Sequence, residues 1–215
     1  AWSVAGWSWW RLANEHGREL DGATQAARAF EQALKVEPGR VDLLSRMIGR
    51  CHVLRAQHLG GQERVESLDD AVAALRRART QTSHGRAVET ELAGALYERA
   101  MVTVHADRAA WLDRVQSLLD AMQPHDDTQL AWLQANTLWA RADVVDARTA
   151  QTLHSRASAL VAARLPHLDG DNGDAWLTRL IDGERAHLRR LSGAARITRL
   201  QQIQTSIQSH LANVG

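Results

Sequence analysis

Ten histidines are spread through the 215 residues, and imidazole is the commonest protein ligand for metal ions. Two histidines of one helix can share a metal ion when they lie three or four positions apart, on the same face. His52 and His58 are six positions apart, and the sequence has no His-Glu-x-x-His segment. His16, beside Glu15 and Glu19, is more typical of a solvated helix face. This spacing therefore predicts no metal site.

The segment from Asp169 to Asp174 resembles the opening of a calcium-binding loop, because it holds three carboxylates and one asparagine. A complete loop needs an oxygen ligand at its fifth position and a bidentate glutamate at its twelfth. Gly173 and Leu180 occupy those two positions. We expect a turn that caps the following helix instead.

The single cysteine and the serines have no catalytic context. Cys51 lies in the middle of a predicted helix, and no Gly-x-Ser-x-Gly segment is present. One cysteine also excludes a disulfide framework and a cysteine-based zinc site. We expect a protein that is not an enzyme and that needs no cofactor.

Composition limits the fold class and the partners. A net charge of +1 gives no electrostatic basis for nucleic-acid binding. Alanine and leucine are frequent, and there is one Phe and one Tyr, so the composition predicts an all-α fold. No apolar run is long enough to span a membrane. Because Ala1 replaces an initiator methionine, we expect a piece of a longer protein, either cytoplasmic or periplasmic.

Start and stop signals divide the sequence into ten predicted helices, over about residues 3–17, 21–36, 40–59, 67–79, 85–104, 107–123, 126–142, 146–165, 171–191 and 193–213. Ser67 followed by Asp70 predicts a capping box. Other predicted N-caps are Asp21, Asp107, Asp126-Asp127, Asp146 and Asp171-Asn172. The short connections favour antiparallel hairpins.

Two patterns recur along these hairpins. Trp10-Arg-Leu-Ala-Asn14 returns as Trp132-Leu-Gln-Ala-Asn136, each time in the first helix of a pair. The second helices share a small, large, small spacing: Ala26-Phe30-Ala33, Ala71-Leu75-Ala78 and Ala150-His154-Ala157. Small residues let helices approach closely while the larger one fills the groove, so the repetition predicts stacked hairpins in a solenoid. An ordinary helical bundle rich in alanine is the alternative.

These residues resemble the tetratricopeptide repeat, whose first helix carries Trp, Leu, Gly and Tyr and whose second carries Ala, Phe and Ala before a Pro. The matching positions are Ala26, Phe30, Ala33 and Pro38 in the first pair, Ile48, Gly49 and His52 in the second, Gly94 and Tyr97 in the third, and Trp132, Ala135, Asn136 and Trp139 in the fourth. The resemblance covers about residues 3–165. Residues 166–215 resemble a divergent final pair with a capping helix.

A narrower resemblance begins with the segment Gly6-Trp-Ser-Trp-Trp-Arg11 and continues through Pro38. It is similar to the repeat regions of some bacterial transmembrane serine/threonine kinases, although no kinase motif is present. This resemblance implies a sensory or docking part of a signalling protein.

Four tryptophans, Trp2, Trp7, Trp9 and Trp10, lie in the first predicted helix. One interpretation is the core of the first hairpin. The other is a docking face or a membrane-proximal aromatic belt, because tryptophan is favoured at binding hot spots and at bilayer interfaces.

In the tetratricopeptide family, first helices line a concave groove that takes an extended peptide or helix. The resemblance therefore implies groove positions at Arg11, Glu15, Arg46, Arg50, Val53, Glu91, Arg99, Leu133, Thr137 and Arg141. The arginines could form forked hydrogen bonds to carboxylates of a partner, or they could belong to a solvated face with compensating glutamates. If the first interpretation holds, replacing Arg46 and Arg50 by alanine weakens partner binding without changing melting.

The sequence thus predicts one domain, a right-handed α-solenoid of about five antiparallel hairpins. The last helix spaces Ile197, Leu200, Ile203, Ile207 and Leu211 as expected for a terminal cap or a homodimer seam. The expected function is a non-catalytic interaction or scaffold module that binds another protein or a peptide. A small-molecule sensor would need a deep apolar pocket, and a helical enzyme would need convergent titratable groups.

Overall fold

The computed structural model describes residues 1–15, 17–81, 85–122, 127–168, 170–189 and 191–214. These residues form helices and turns, with no β-strand among them, and the predicted all-α class is confirmed. The helices in this part of the chain are α1 (Trp2–Leu12), α2 (Glu19–Val36), α3 (Val41–His58), α4 (Gly61–Gln81), α5 (Gly85–Met101), α6 (His105–Met122), α7 (Thr128–Ala142), α8 (Ala147–Arg164), α9 (Gly170–Leu188) and α10 (Gly193–Val214).

Contacts within the chain divide it into two compact units, Ala1–Asp107 and Arg108–Gly215. In the first unit, α1 packs on α2, α2 on α3, α3 on α4 and α4 on α5. In the second unit, α7 to α10 do the same. Consecutive helices therefore pack on one another within each unit. The single right-handed solenoid of five hairpins stays a prediction.

The small, large, small spacing marks the contact between α1 and α2. Ala26, Phe30 and Ala33 are fully buried. Gly6 of α1 lies directly over the Phe30 ring, so a Cβ atom added there would be 2.6 Å from the ring carbon Cδ1. Trp7 meets the same ring edge-on, with centroids 5.5 Å apart. Phe30 thus fills the groove that the glycine and the two alanines leave.

The same small, large, small spacing packs α4 on α3, where Ala71, Leu75 and Ala78 are fully buried. A predicted feature of this pair is wrong, because Ser67 does not cap a helix. α4 begins at Gly61, and Ser67 lies buried inside it, where its hydroxyl donates to the His52 carbonyl at 2.9 Å. The hydroxyl satisfies a carbonyl of the neighbouring helix rather than the amides of its own.

In the second unit, Ala150, His154 and Ala157 of α8 are buried at the third copy of this spacing. The side chains of Trp132 and Trp176 pack together at a centroid distance of 5.1 Å, which joins α7 to α9. The predicted packing role of the small, large, small positions therefore holds in both units.

Helix caps are correct where an aspartate directly precedes the helix. Asp127 accepts a hydrogen bond from the Leu130 amide at 3.1 Å. Asp146 accepts from the amides of Arg148 and Thr149, and hydrogen bonds from Thr149 lower the pKa of the Asp146 carboxyl. Asp126 and Pro124 lie outside the described residues.

Other boundaries differ from the predicted ones. α2 and α6 begin at Glu19 and His105, and α9 begins at Gly170, so the predicted caps Asp21, Asp107 and Asp171 lie inside first turns. Aspartate is also favoured there, because its charge opposes the positive end of the helix dipole. α1 stops at Leu12 rather than near Gly17, and the Asn14 side chain donates to the Trp10 carbonyl, one of the last free acceptors of the helix.

The regularly spaced apolar side chains of α10 are only partly buried. Ile203 and Ile207 are half-buried against the unit, whereas Ile197 and Leu200 are 60% and 47% exposed. The side chain of Leu211 lies outside the described residues. The homodimer seam stays a prediction.

Candidate functional site

The predicted groove residues Arg46 on α3 and Glu91 on α5 meet in a forked ion pair. Arg46 donates from Nε and Nη2 to the two carboxylate oxygens of Glu91, at 2.9 and 2.7 Å. Both side chains are about a quarter exposed, and hydrogen bonding to Glu91 raises the pKa of Arg46. This bidentate geometry is the strong form of an Arg–carboxylate contact, and it joins α3 to α5.

Arg50, one turn further along α3, extends this contact to α1. Its Nε lies 3.9 Å from Glu91 Oε1, and its guanidinium lies 5.1 Å from the ring centroid of Trp10. The Arg50 side chain is 44% exposed. We call Trp10, Arg46, Arg50 and Glu91 the Arg50 cluster. It connects α1, α3 and α5, which are the first helices of three successive predicted pairs.

The other predicted groove residues of the first unit lie apart from these polar contacts. Arg11 and Glu15 are exposed near the end of α1, and Val53 is half-buried on α3. Arg99 turns toward α4, where its Nε donates to Asp69 Oδ1 at 2.6 Å. Arg99 therefore connects α5 to α4 instead of extending the Arg50 cluster.

The predicted groove residues of the second unit are mostly covered. Arg141 pairs with Asp113 of α6 at 2.7 Å, and Leu133 is half-buried. Thr137 is fully buried, and its hydroxyl donates to the Leu133 carbonyl at 2.8 Å. The Thr137 side chain is therefore covered by the chain itself, because α7 is buried on all sides from Ala135 to Ala140.

Sequence reasoning missed Arg179 of α9. Its Nε donates to the Asn136 side chain, and its guanidinium lies 4.9 Å from the ring centroid of Trp139. In each unit, an arginine of a later helix therefore meets a tryptophan of an earlier one: Arg50 meets Trp10 in the first, and Arg179 meets Trp139 in the second. The repeated Trp-x-x-Ala-Asn motif was the available signal, because Arg179 contacts its asparagine, Asn136, and the tryptophan three residues later, Trp139.

His52 lies on the other side of α3, between α2 and α4. The ring is buried, and Nδ1 is 3.1 Å from Arg55 Nη1. Asp70 and Glu31 approach the two ring nitrogens at 3.8 and 3.9 Å. Burial lowers the pKa of His52 below its ordinary 6.5, with Arg55 acting in the same direction and the two carboxylates opposing it.

This lowered pKa predicts a loss of stability in acid. The unfolded chain binds the His52 proton more tightly than the folded chain, so the free energy of unfolding falls as the pH drops below about 6.5. Denaturant titrations at pH 7.5 and 5.5 should show a smaller fall for His52→Gln than for the wild type. His58→Gln removes an exposed histidine of the same helix and should keep the wild-type fall. Equal pH dependence in all three proteins would contradict this assignment.

The remaining candidates for site chemistry are the cysteine and groups of potential metal ligands. Burial raises the pKa of the Cys51 thiol to about 12, so the thiol stays protonated at neutral pH. Across the described ranges, no three His, Cys, Asp or Glu side chains are grouped to hold a metal ion. His16 and Asp169 lie outside those ranges, as do the side chains of Asp171 and Asn172.

Within the described part of the chain, none of the helices combines the length and the apolar character needed to cross a membrane. Neither a model of a known protein family nor a curated protein matches the sequence.

Proposed function

We propose that the chain is a non-catalytic protein-interaction module, in which tetratricopeptide-like hairpins offer their first helices to a peptide or helix of another protein. The right-handed solenoid of about five such hairpins, with a capping helix, is part of this proposal. The Arg50 cluster is the observation that carries it.

The order of contacts in the first unit supports hairpin stacking. α1 packs on α2 and α3 packs on α4, while the polar contacts of the Arg50 cluster run between α1, α3 and α5. Such a layer of first helices is what a stack of tetratricopeptide hairpins requires. Its surface is polar and half-exposed, so it suits a partner that itself carries polar groups.

Arg50 is the best-placed contact for an acidic partner. Arg46 uses two donors on Glu91, whereas the Arg50 guanidinium lies against the Trp10 ring and remains more exposed. Stacking on an aromatic ring restricts the conformations of an arginine side chain before a partner binds. This lowers the entropy that the side chain loses when it binds a carboxylate. A peptide with an Asp or Glu side chain is therefore the expected ligand.

A random peptide library displayed on phage tests the proposal on the full chain. Peptides selected on the wild type should be enriched in acidic residues, and fluorescence polarisation should show Arg50→Ala weakening them about tenfold, the loss of one charge-assisted contact. Arg50→Lys should recover only part of the affinity, because lysine lacks the planar fork.

Arg76→Ala is the matched control, since Arg76 is an exposed arginine on the second helix α4. It removes the same charge and should change the affinity less than twofold. Arg46→Ala is a poorer probe, because it also deprives Glu91 of its partner. Failure to select any peptide, or equal losses with Arg50→Ala and Arg76→Ala, would refute the proposal.

A ligand-sensing domain, as in a bacterial transmembrane kinase or another signalling receptor, is the second candidate function. One observation favours it, a cavity of about 160 Å³ in the second unit. The narrower resemblance to kinase-associated repeats stays a prediction.

A further inference from the structure

Two side chains of α7 hold Arg179 of α9 in one orientation. The Nε of Arg179 donates to the side-chain oxygen of Asn136, and the guanidinium lies 4.9 Å from the ring centroid of Trp139. Asn136 is itself fixed, because it is 7% exposed and its Nδ2 donates to the Trp132 carbonyl at 2.8 Å. These contacts use the Nε hydrogen and one face of the guanidinium.

The backbone of α9 brings Arg179 onto the Trp139 ring. Gly183, one turn further along α9, is buried, and a Cβ atom added to it would lie 2.6 Å from Trp139 Cζ2. That distance is shorter than Cβ atoms tolerate, so glycine is what allows α9 to lie this close to the ring. Trp139 is also buried. The arginine therefore lies on a fixed surface, which lowers the entropy that it loses on binding a ligand.

The two Nη groups of Arg179 remain available. Among the described residues, neither makes a hydrogen bond or an ion pair, and neither is fully enclosed by protein atoms. Arg141 and Arg199, the partly buried arginines with printed geometry in the same unit, instead pair with the carboxylates of Asp113 and Glu184. Arg179 thus presents a positive charge and two parallel N–H donors at its outer end.

This arrangement matches a carboxylate. The two oxygens of a carboxylate accept two parallel N–H donors in bidentate geometry, and one guanidinium balances its single charge. A phosphate dianion would need a second cation. Asp182, three residues further along α9, already pairs with Arg185 at 3.7 Å, so these two side chains add no net charge beside Arg179. A singly charged carboxylate is therefore the ligand that the site fits best.

From these features we infer that Arg179 forms a second carboxylate-binding site, in the second unit, for an Asp or Glu side chain of a partner peptide. Arg179 is the contact, whereas Asn136 and Trp139 are positioning residues. The peptide nature of the ligand rests on the proposed function. The carboxylate site does not, because it uses no residue of the Arg50 cluster, and the two sites can succeed or fail separately.

Titration of the full chain with sodium acetate, followed by ¹H–¹⁵N NMR of the arginine Nε–Hε groups, tests the site directly. At constant ionic strength the Arg179 signal should shift saturably, with a dissociation constant of about 10–100 mM for one charge-assisted contact. Acetamide has a similar shape without the charge and should leave the signal in place. Phosphate should bind no more tightly than acetate.

Exposed Arg185 of the same helix is the internal control and should show no saturable shift. The Arg50 signal reports on the other site in the same titration. A shift at Arg50 without one at Arg179 would overturn this inference and leave the proposed function standing, and the reverse result would do the opposite. An Arg179 signal that moves no more than that of Arg185 would also overturn the inference.

A peptide selection extends the test to the expected class of ligand. Arg50→Ala removes the first site, so acidic peptides selected from a phage library on this variant of the full chain should depend on Arg179. Adding Arg179→Ala should weaken them about tenfold in fluorescence polarisation, and Arg179→Lys should recover only part of the affinity. Adding Arg185→Ala instead should change the affinity less than twofold.

Circular dichroism of each variant shows whether it is folded. If Arg179→Ala is not, Arg179→Lys keeps the charge and the acetate titration of the wild type still decides the question. Peptides that bind equally with and without Arg179, or a selection that enriches no acidic peptide, would overturn the inference.

Discussion

Arg199→Met is expected to lower the free energy of unfolding of the second unit by about 3 kcal/mol. The Glu184 side chain is 2% exposed, and it accepts two hydrogen bonds from this one arginine. Removing the arginine leaves a buried carboxylate without its counter-charge, which costs more than the net value of the pair itself. Native-state hydrogen exchange of the full chain, read at amides of α8 to α10, measures the loss within this unit.

The double variant Glu184→Leu with Arg199→Met should regain most of that loss, since an apolar pair of similar volume is often as stable as a buried ion pair. Arg185→Met is the matched control. Arg185 pairs with Asp182 on the same helix at 3.7 Å, but both side chains are more than half exposed, so its removal should cost less than about 0.5 kcal/mol. If Arg199→Met and Arg185→Met destabilise equally, the Glu184 contact is not the buried pair described above.

Gly49→Ala and Gly94→Ala should change stability in opposite directions. A Cβ atom on Gly49 would lie 2.5 Å from Leu75 Cγ and 3.3 Å from the Ala71 carbonyl oxygen. Leu75 is fully buried and its Cγ is a branch point, so the two helices α3 and α4 must separate. We expect a loss of about 1–3 kcal/mol from this overpacking.

Gly94 lies inside α5 with no atom within 4 Å of an added Cβ. Alanine there removes backbone freedom from the unfolded chain and should add about 0.5–1 kcal/mol. Urea titrations of the two variants, followed by circular dichroism, compare them directly. A loss of stability in both variants would contradict the open space assigned to Gly94. A gain in both would contradict the close contact assigned to Gly49.

For these two glycines, the sequence predicts the position but not the surroundings. Both occupy glycine positions of the predicted tetratricopeptide pattern, in the second and third pairs. The pattern locates each glycine inside a helix, and the structure agrees. It does not say that a Cβ atom on Gly49 would meet Leu75 while one on Gly94 would meet no atom within 4 Å, because that difference depends on the separation and rotation of two helices.

The predicted groove residues show the same difference between position along a helix, which the sequence predicts, and contact between helices, which it does not. The predicted groove set contained Arg46, Arg50 and Glu91, and the structure brings these three together. It also contained Thr137, which is buried. Spacing along a helix places a residue on a face, but the burial of that face depends on which helices cover it. Arg179 and Glu184 were missed for the same reason, since their contacts join different helices.

The sequence alone determined the helical class, the approximate helix positions, the caps at Asp127 and Asp146 and the packing role of the small, large, small spacing. These features depend on interactions within a few residues, where backbone propensity, side-chain period and local hydrogen bonds decide the outcome. Only the tertiary structure decided that Ser67 bonds to α3, that Arg50 meets Trp10, and that Glu184 is buried with Arg199 beside a cavity. Each of those contacts joins different helices, and its energy depends on distances and burial that no spacing along one chain segment contains.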